Sequence, residues 1–221
     1  SGLILENQIG SKIYYELEDI EGIIVMKSPI CYYGGKSYLL KEIISLFPLH
    51  KIYVEPFGGG ANVLLNKPPS QVDVYNDLDK HLANLFSVLK DSDKFSKLHK
   101  LLLLTPYSKE EFEYSKEILD HSNDNIDQAY RYYIICRMSF NGISKSSNWA
   151  YAVGCSKRNM SAKTSSWLSS IDNLQLVHSR LKNVTIENKD FREILSEYNS
   201  ADVLIYVDPP YVPSTRICKS A

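Results

Sequence analysis

The most chemically pointed residues of this 221-residue chain are Asp208-Pro209-Pro210-Tyr211, which directly follow the apolar run DVLIYV at 202–207. Each proline fixes its own φ and restricts the residue before it to extended geometry, so Asp208 and Pro209 hold their acceptor oxygens in place. A fixed carboxylate, a fixed backbone carbonyl and a neighbouring aromatic ring suit an exocyclic amine on a planar base. The two acceptors take its N–H protons, and the ring of Tyr211 stacks on its face. Such an amine is a weak nucleophile, because its lone pair is delocalised into the ring. Acceptors on its hydrogens favour a pyramidal nitrogen and aim the lone pair at an electrophile. A plain Pro-Pro turn closing a strand is the alternative reading of the same tetrapeptide.

A second group surrounds Glu55-Pro56-Phe57-Gly58-Gly59-Gly60, where the β-prone run KIYVE (51–55) gives way to three glycines and the helix-prone ANVLLN. Glycines there bring backbone close to a ligand, although Gly58, Gly60 and Val63 do not complete the G-x-G-x-x-G dinucleotide pattern. Asp77 follows VDVYN (72–76). An acidic residue at the end of a second strand can take both hydroxyls of a ribose, and Asp77 or Asn76 would equally serve as N-cap of the next helix. Lys36 lies in Gly34-Gly35-Lys36-Ser37, yet Ile30 stands where a phosphate-binding loop needs its first glycine, and no strand precedes it. Nucleoside triphosphate binding by that motif is excluded. Cys31, Cys136, Cys155 and Cys218 and the five histidines are scattered without ligand spacing, so no metal is expected.

These groups need a scaffold, and the periodicities supply one. Leu39, Leu40, Ile43, Ile44 and Phe47 recur at helical spacing ahead of Pro48. Two strand-turn-helix units follow, the second with Leu78, Leu82, Leu85, Phe86 and Leu89 on one helical face. Residues 92–182 then read as helices and one polar loop (139–166), with a capping box at Ser108 and Glu111 and a helix through Ile126, Ala129, Tyr130, Tyr133 and Ile134. Those tyrosines are read as core and not as a stacking platform. Trp167, Leu168, Ile171, Leu174 and Leu181 form a further helical face. The βα rhythm returns with NVTIE (183–187), a short helix from about Phe191 to Tyr198 and the strand before Asp208, which reads as buried. The pattern predicts a parallel α/β sheet with an inserted, mostly helical subdomain. The predicted division is 1–25 as an extension of unknown role, 26–91 with 183–221 as the sheet domain, and 92–182 as the insertion.

Composition narrows the partners. At 44% hydrophobic and 23% charged, with no run near the roughly 18 apolar residues of a membrane span and no leader pattern at the start, the chain is expected in the cytoplasm with reduced thiols. Net charge is −1, but residues 131–182 hold eight Lys and Arg against Asp172, leaving −8 for the rest. A basic segment in an acidic chain is the footprint of a polyanion contact, although a solvated helix surface gives the same count.

Taken in order, the motifs resemble the Dam-type DNA adenine-N6 methyltransferases. CYYGGKSYL (31–39) resembles that family's N-terminal motif, which implies Tyr32 and Lys36 as contacts of the cofactor S-adenosylmethionine. YVEPFGGGANVLL (53–65) matches the glycine-rich cofactor motif, implying Glu55, Phe57, Gly58 and Gly60, and VYNDLDKHLANLF (74–86) matches the next, putting Asp77 on the ribose. TIENKDF (185–191) is similar to the motif whose aspartate contacts the cofactor's adenine, here Asp190 with Phe191. RMSFNGISKSSNWAYAVG (137–154) resembles the target-recognition hairpin, although Ile143 to Ser147 depart from the common Arg-Tyr-Asn cluster, so no recognition sequence carries over. The resemblance implies a Rossmann-like methyltransferase sheet with an inserted target-recognition subdomain, and Asp208 to Tyr211 as the catalytic motif, with Asp208 also near the cofactor. It implies double-stranded DNA as substrate, with Asn141 of the retained Phe140-Asn141-Gly142 as a contact and Lys145 reading a base, while the basic segment makes Arg137, Lys145, Lys157 and Arg158 the expected phosphate contacts. Family members continue through further strands after this motif, so the stretch is expected to be a piece lacking them. RNA adenine or N4-cytosine methylation and a non-catalytic DNA- or cofactor-binding module are the competing readings.

Overall fold

The structure, a computed structural model, describes residues 3–6, 12–15, 26–31, 39–140, 148–152, 154 and 159–210. β1 (Leu3–Glu6) and β2 (Lys12–Tyr15) pair as an antiparallel hairpin within the predicted extension. Helix α1 (Leu40–Ser45) precedes a parallel sheet made of β3 (Ile52–Glu55), β4 (Val72–Asn76), β5 (Val184–Glu187) and β6 (Val203–Ile205), in the order β5-β4-β3-β6. Pairing of Ile52 with Val72 and of Ile52 with Val203 sets β3 at the centre. α2 (Asn62–Asn66) follows β3, and α9 (Phe191–Glu197) joins β5 to β6.

Strand alternation sorts the residues into two layers. Val54 and Val74 point to one face, where Ile194 of α9 covers them. Tyr53, Glu55, Asp73 and Tyr75 alternate with them and belong to the opposite face, where Tyr53 and Tyr75 join the main core. Both faces of β3 and β4 are thus buried, and the polar residues they carry, Glu55, Asp73 and Asn76, are buried with them.

Between β4 and β5 lie α3 (Lys80–Lys90), α4 (Ser92–Leu104), α5 (Lys109–Ile118), α6 (Asn125–Met138), α7 (Ala162–Asp172) and α8 (Leu174–Leu181). α6 is apolar around most of its circumference, burying Ala129, Tyr132, Tyr133, Ile134, Ile135, Cys136 and Met138. It is accordingly the central helix, packed by α3, α4, α5 and α7. One continuous cluster runs from Tyr53 and Leu64 through Phe86 to Phe112, Tyr133, Trp167 and Leu181. Ser108 caps α5 by accepting from the Glu111 N–H at 3.4 Å, the first half of the expected capping box, while Glu111 Oε1 accepts from Arg131 Nη1 at 2.9 Å.

Three expectations need correcting. The N-cap of α3 is Asp79, whose carboxylate accepts from the N–H groups of His81 and Leu82; Asp77 and Asn76 precede it in the turn. The helical face from Trp167 to Leu181 is two helices that meet at Asn173. β6 is shorter than its apolar run and only half-buried, because it forms an edge of the sheet among the described residues.

Candidate active site

The carboxyl ends of the strands carry the predicted residues, and the strand order explains why they meet. The chain leaves β3 for β4 on one side and returns from β5 to β6 on the other, so the β3/β6 boundary is the topological switch point where open α/β sheets bind ligands. The Tyr206 N–H donates to the Val54 carbonyl at 2.9 Å, which extends the pairing beyond β6 and brings the approach to Asp208 alongside the glycine turn. Asp208 is half-buried, and Pro209 and Pro210 are exposed.

Glu55 ends β3 at 2% exposure, with its Oε1 accepting from the Tyr53 hydroxyl (2.6 Å) and from the Leu64 N–H of α2 (3.0 Å). Its motif assigns this residue to the cofactor, whereas both of these hydrogen-bond partners belong to the scaffold and anchor the helix that follows the glycine turn. Burial pushes its carboxyl up to about 7, against those two hydrogen bonds and the Lys67 charge, which pull it down. Because the folded value lies above the unfolded one, Glu55 contributes stability that is complete below about 4.5 and is lost as pH rises through about 7. Thermal midpoints measured across that interval should fall for the wild type and fall less for Glu55→Gln, which keeps the acceptor and removes the titration. The difference should be at most a few kcal/mol, and parallel curves would contradict it.

The glycine turn has a packing reason that its sequence does not disclose. A Cβ on Gly58 would lie 2.2 Å from Cε2 of Tyr75. That ring cannot withdraw, since it is fully buried, stacked on Phe86 at 4.4 Å and tied through its hydroxyl to the Gly59 carbonyl at 2.8 Å. Gly59 has φ 49° and Ala61 φ 55°, so the turn passes twice through the left-handed region. Gly58→Ala should destabilise the fold by about 1–3 kcal/mol, as overpacking does. A thermal midpoint equal to that of the wild type would contradict this packing.

Asn76 and Asp77 tie three loops together. Asn76 is buried, its Nδ2 donating to the carbonyls of Pro56 (2.9 Å) and Lys189 (3.1 Å) while its Oδ1 accepts from the Lys189 N–H (2.8 Å). Asp77 Oδ2 accepts from the Gly59 N–H and Oδ1 from the Asp79 N–H, each at 2.9 Å. Burial, with Asp79 nearby, pushes the Asp77 carboxyl above the usual carboxylate value in spite of these hydrogen bonds. Phe57 from the turn after β3 and Phe191 from the start of α9 approach to 5.1 Å between ring centroids, across the end of β4. Asp190 caps α9 and grips Arg192 at 2.8 and 2.9 Å, and this guanidinium holds its carboxyl down at about 2. A half-buried carboxylate, two rings in contact and a tight backbone turn thus lie together at the carboxyl ends of β3, β4 and β5.

Residues 32–218 match the model of the family described as D12 class N6 adenine-specific DNA methyltransferase. The chain belongs to that family. It is 28% identical over 207 residues to the type II methyltransferase M.MjaIII of Methanocaldococcus jannaschii, an alignment covering 83% of this chain and 68% of the relative. It is 26% identical over 202 residues to the modification methylase StsI of Streptococcus sanguinis and 24% over 221 residues to the type II methyltransferase M.FokI of Planomicrobium okeanokoites. Those alignments cover 86% and 96% of this chain but only 29% and 33% of the relatives.

For this D12 class chain, the predicted cofactor contacts Tyr32 and Lys36, the DNA contacts Asn141, Lys145, Lys157 and Arg158, and Tyr211 lie outside the described residues. Arg137 is described, and its guanidinium is engaged with the protein at 28–31. Arg131 pairs with Glu111 (2.9 Å) and Asp127 (3.2 Å), and Arg180 with Asp73 (2.6 Å), so part of the basic surplus is neutralised by carboxylates outside the segment. Asn76 is a site residue that sequence reasoning missed, and its only signal was its place at a strand end beside Asp77. Among the described residues no group of His, Cys, Asp and Glu forms a metal site, and no helix is long and apolar enough to cross a membrane.

Proposed function

We propose that the chain binds S-adenosylmethionine across the carboxyl ends of β3, β4 and β5 and transfers its methyl group to N6 of an adenine flipped out of duplex DNA. The observation that carries this reading is the β3/β6 switch point, which brings the glycine turn and Asp208-Pro209-Pro210 to the same part of the sheet edge. The Asp77 carboxylate at the end of β4 supports a ribose contact, and the Phe57 and Phe191 pair supports stacking on an adenine ring. Asp190 would reach that adenine only by sharing oxygens it already gives to Arg192. Tyr32 and Lys36 complete the proposed cofactor set.

The cofactor supplies an electrophilic methyl group on a sulfonium. The target amine is engaged in pairing inside the duplex, so it must leave the stack at a cost of a few kcal/mol. Asp208 and the Pro209 carbonyl accept its protons and orient the lone pair, while Tyr211 stacks on the base. The Asp208 carboxylate would take the proton that nitrogen sheds on accepting the methyl group from bound S-adenosylmethionine, which is left as a neutral thioether, and would pass that proton to solvent. Asn141, Lys145, Lys157 and Arg158 contact DNA. With three of these cationic, log K should fall with log salt at a slope of about −2.7.

Duplex DNA and RNA of matched sequence, incubated with methyl-labelled S-adenosylmethionine and digested to nucleosides, test the reading. N6-methyladenine from the DNA is expected. N4-methylcytosine, label confined to RNA, or binding of both ligands without transfer would each overturn it.

A further inference from the structure

Residues 26–31 form a strap that leads directly into Tyr32 and, among the described residues, pairs with no strand. Backbone carbonyls without a sheet partner must be satisfied otherwise, and here side chains take four in succession. Asn66 Nδ2 donates to the Met26 carbonyl (2.9 Å), while Asn66 Oδ1 accepts the Met26 N–H (2.8 Å). Asn173 Nδ2 donates to the Lys27 carbonyl at 2.7 Å. Arg137 donates through Nη2 to the Ser28 carbonyl and through Nε to the Pro29 carbonyl, both at 2.7 Å, and its Nη1 lies 3.3 Å from Cys31 Sγ. Pro29 and Ile30 are buried, Ile30 within the main core.

The donors come from separate parts of the fold. Asn66 ends the helix after the glycine turn, Asn173 joins α7 to α8, and Arg137 is in the last turn of α6. The backbone just beyond Arg137 forms an antiparallel bridge between Ser139 and Trp149, with the Ala150 N–H on the Met138 carbonyl (2.7 Å) and the Phe140 N–H on the Asn148 carbonyl (2.8 Å). The Nε and Nη2 edge of Arg137, a donor pair of the kind arginine offers a phosphate in a bidentate contact, is given to the Pro29 and Ser28 carbonyls of the strap.

We propose that Arg137 is a positioning residue for the cofactor segment and does not contact a DNA phosphate. It fixes Ser28, Pro29 and Cys31, the residues that precede the proposed cofactor contacts Tyr32 and Lys36 in sequence, and it does so from the last turn of α6, beside the Ser139–Trp149 bridge. This inference rests on the cofactor reading above and adds a residue that acts on the cofactor through the strap.

The test compares the full chain with Arg137→Met, which keeps the stem and removes every donor, and Arg137→Lys, which restores one cationic donor. In Arg137→Met, hydrogen exchange of the Ser28, Ile30 and Cys31 amides should accelerate while β3 and β4 keep their protection. The Kd for S-adenosylmethionine should rise about tenfold or more, the scale expected when charged hydrogen bonds are lost. The salt slope of duplex binding should stay at the wild-type value. Arg137→Lys should fall between the two in exchange and in Kd. A slope flattened by about one with strap protection and Kd unchanged would overturn the proposal in favour of a phosphate contact. Loss of strap protection with unchanged Kd would overturn the positioning role. Should Arg137→Met fail to fold, Asn173→Ala removes a different donor and leaves α6 intact; it should raise Kd by a smaller factor, and an unchanged Kd there overturns the proposal. Failure of the cofactor reading is recognised separately, because the wild type would then bind no S-adenosylmethionine before any substitution is made.

Discussion

Asp208→Ala is expected to lower methyl transfer by about 10²–10³-fold or more, the loss seen when one preorganised polar group leaves a reacting centre, while both ligands still bind. The carboxylate acts on the target amine only after the base is in the cleft. In the proposed reading, cofactor affinity comes instead from the turn after β3, Asp77, Tyr32 and Lys36, and duplex affinity from the basic residues before α7. Asp208→Asn should lose less, since its amide oxygen still accepts one amine proton. Single-turnover transfer with pre-bound DNA and S-adenosylmethionine separates the chemical step from binding. An unchanged rate in Asp208→Ala would remove this residue from the chemistry.

The largest effect on stability is expected at Asp73. This side chain is 2% exposed, with Lys67 Nζ at 2.7 Å on Oδ1 and Arg180 Nη2 at 2.6 Å on Oδ2. Lys67 is itself only 1% exposed and lies over the Tyr53 ring at 4.4 Å. Asp73→Ala would remove the carboxylate that both Lys67 and Arg180 bind and leave the two cations facing each other. A loss of about 3–5 kcal/mol follows from the unpaired charges rather than from any intrinsic strength of the pairs. Asp73→Asn should cost less, because one acceptor oxygen remains. Replacing Asp73, Lys67 and Arg180 together by apolar residues should also cost less than Asp73→Ala alone. Chemical denaturation with all variants measures this, and a triple variant as unstable as the sum of its singles would contradict it.

Elements defined by short-range patterns are legible in the sequence. β3, β4, β5 and α9 lie where apolar runs, glycines and prolines put them, and the order of the motifs identifies the family. The errors arise where the deciding partner is distant in sequence. Asp79 rather than Asp77 caps α3 because β4 runs to Asn76 and the chain turns through two more residues before the helix begins, a difference that spacing alone does not fix. Gly58 reads as making room for a ligand, while the neighbour that forbids a side chain is Tyr75 on the next strand. The charge count of 131–182 treats Arg131, Arg137 and Arg180 as surface charge, yet their partners are Glu111 and Asp127, the strap carbonyls, and Asp73. Asn76 lies inside the 74–86 motif but reads there only as a helix cap, and its staple joins Pro56 to Lys189, residues that only the sheet order brings together.

The central claim is that donor and base meet at the carboxyl ends of these strands, and a crystal structure of the chain with S-adenosylmethionine tests it most directly. Expected is the ribose on the Asp77 carboxylate, the adenine ring against Phe57 and Phe191, and the sulfonium methyl directed toward Asp208 and Pro209. Cofactor bound away from the glycine turn, or a turn from which it is absent at saturating concentration, would contradict the claim.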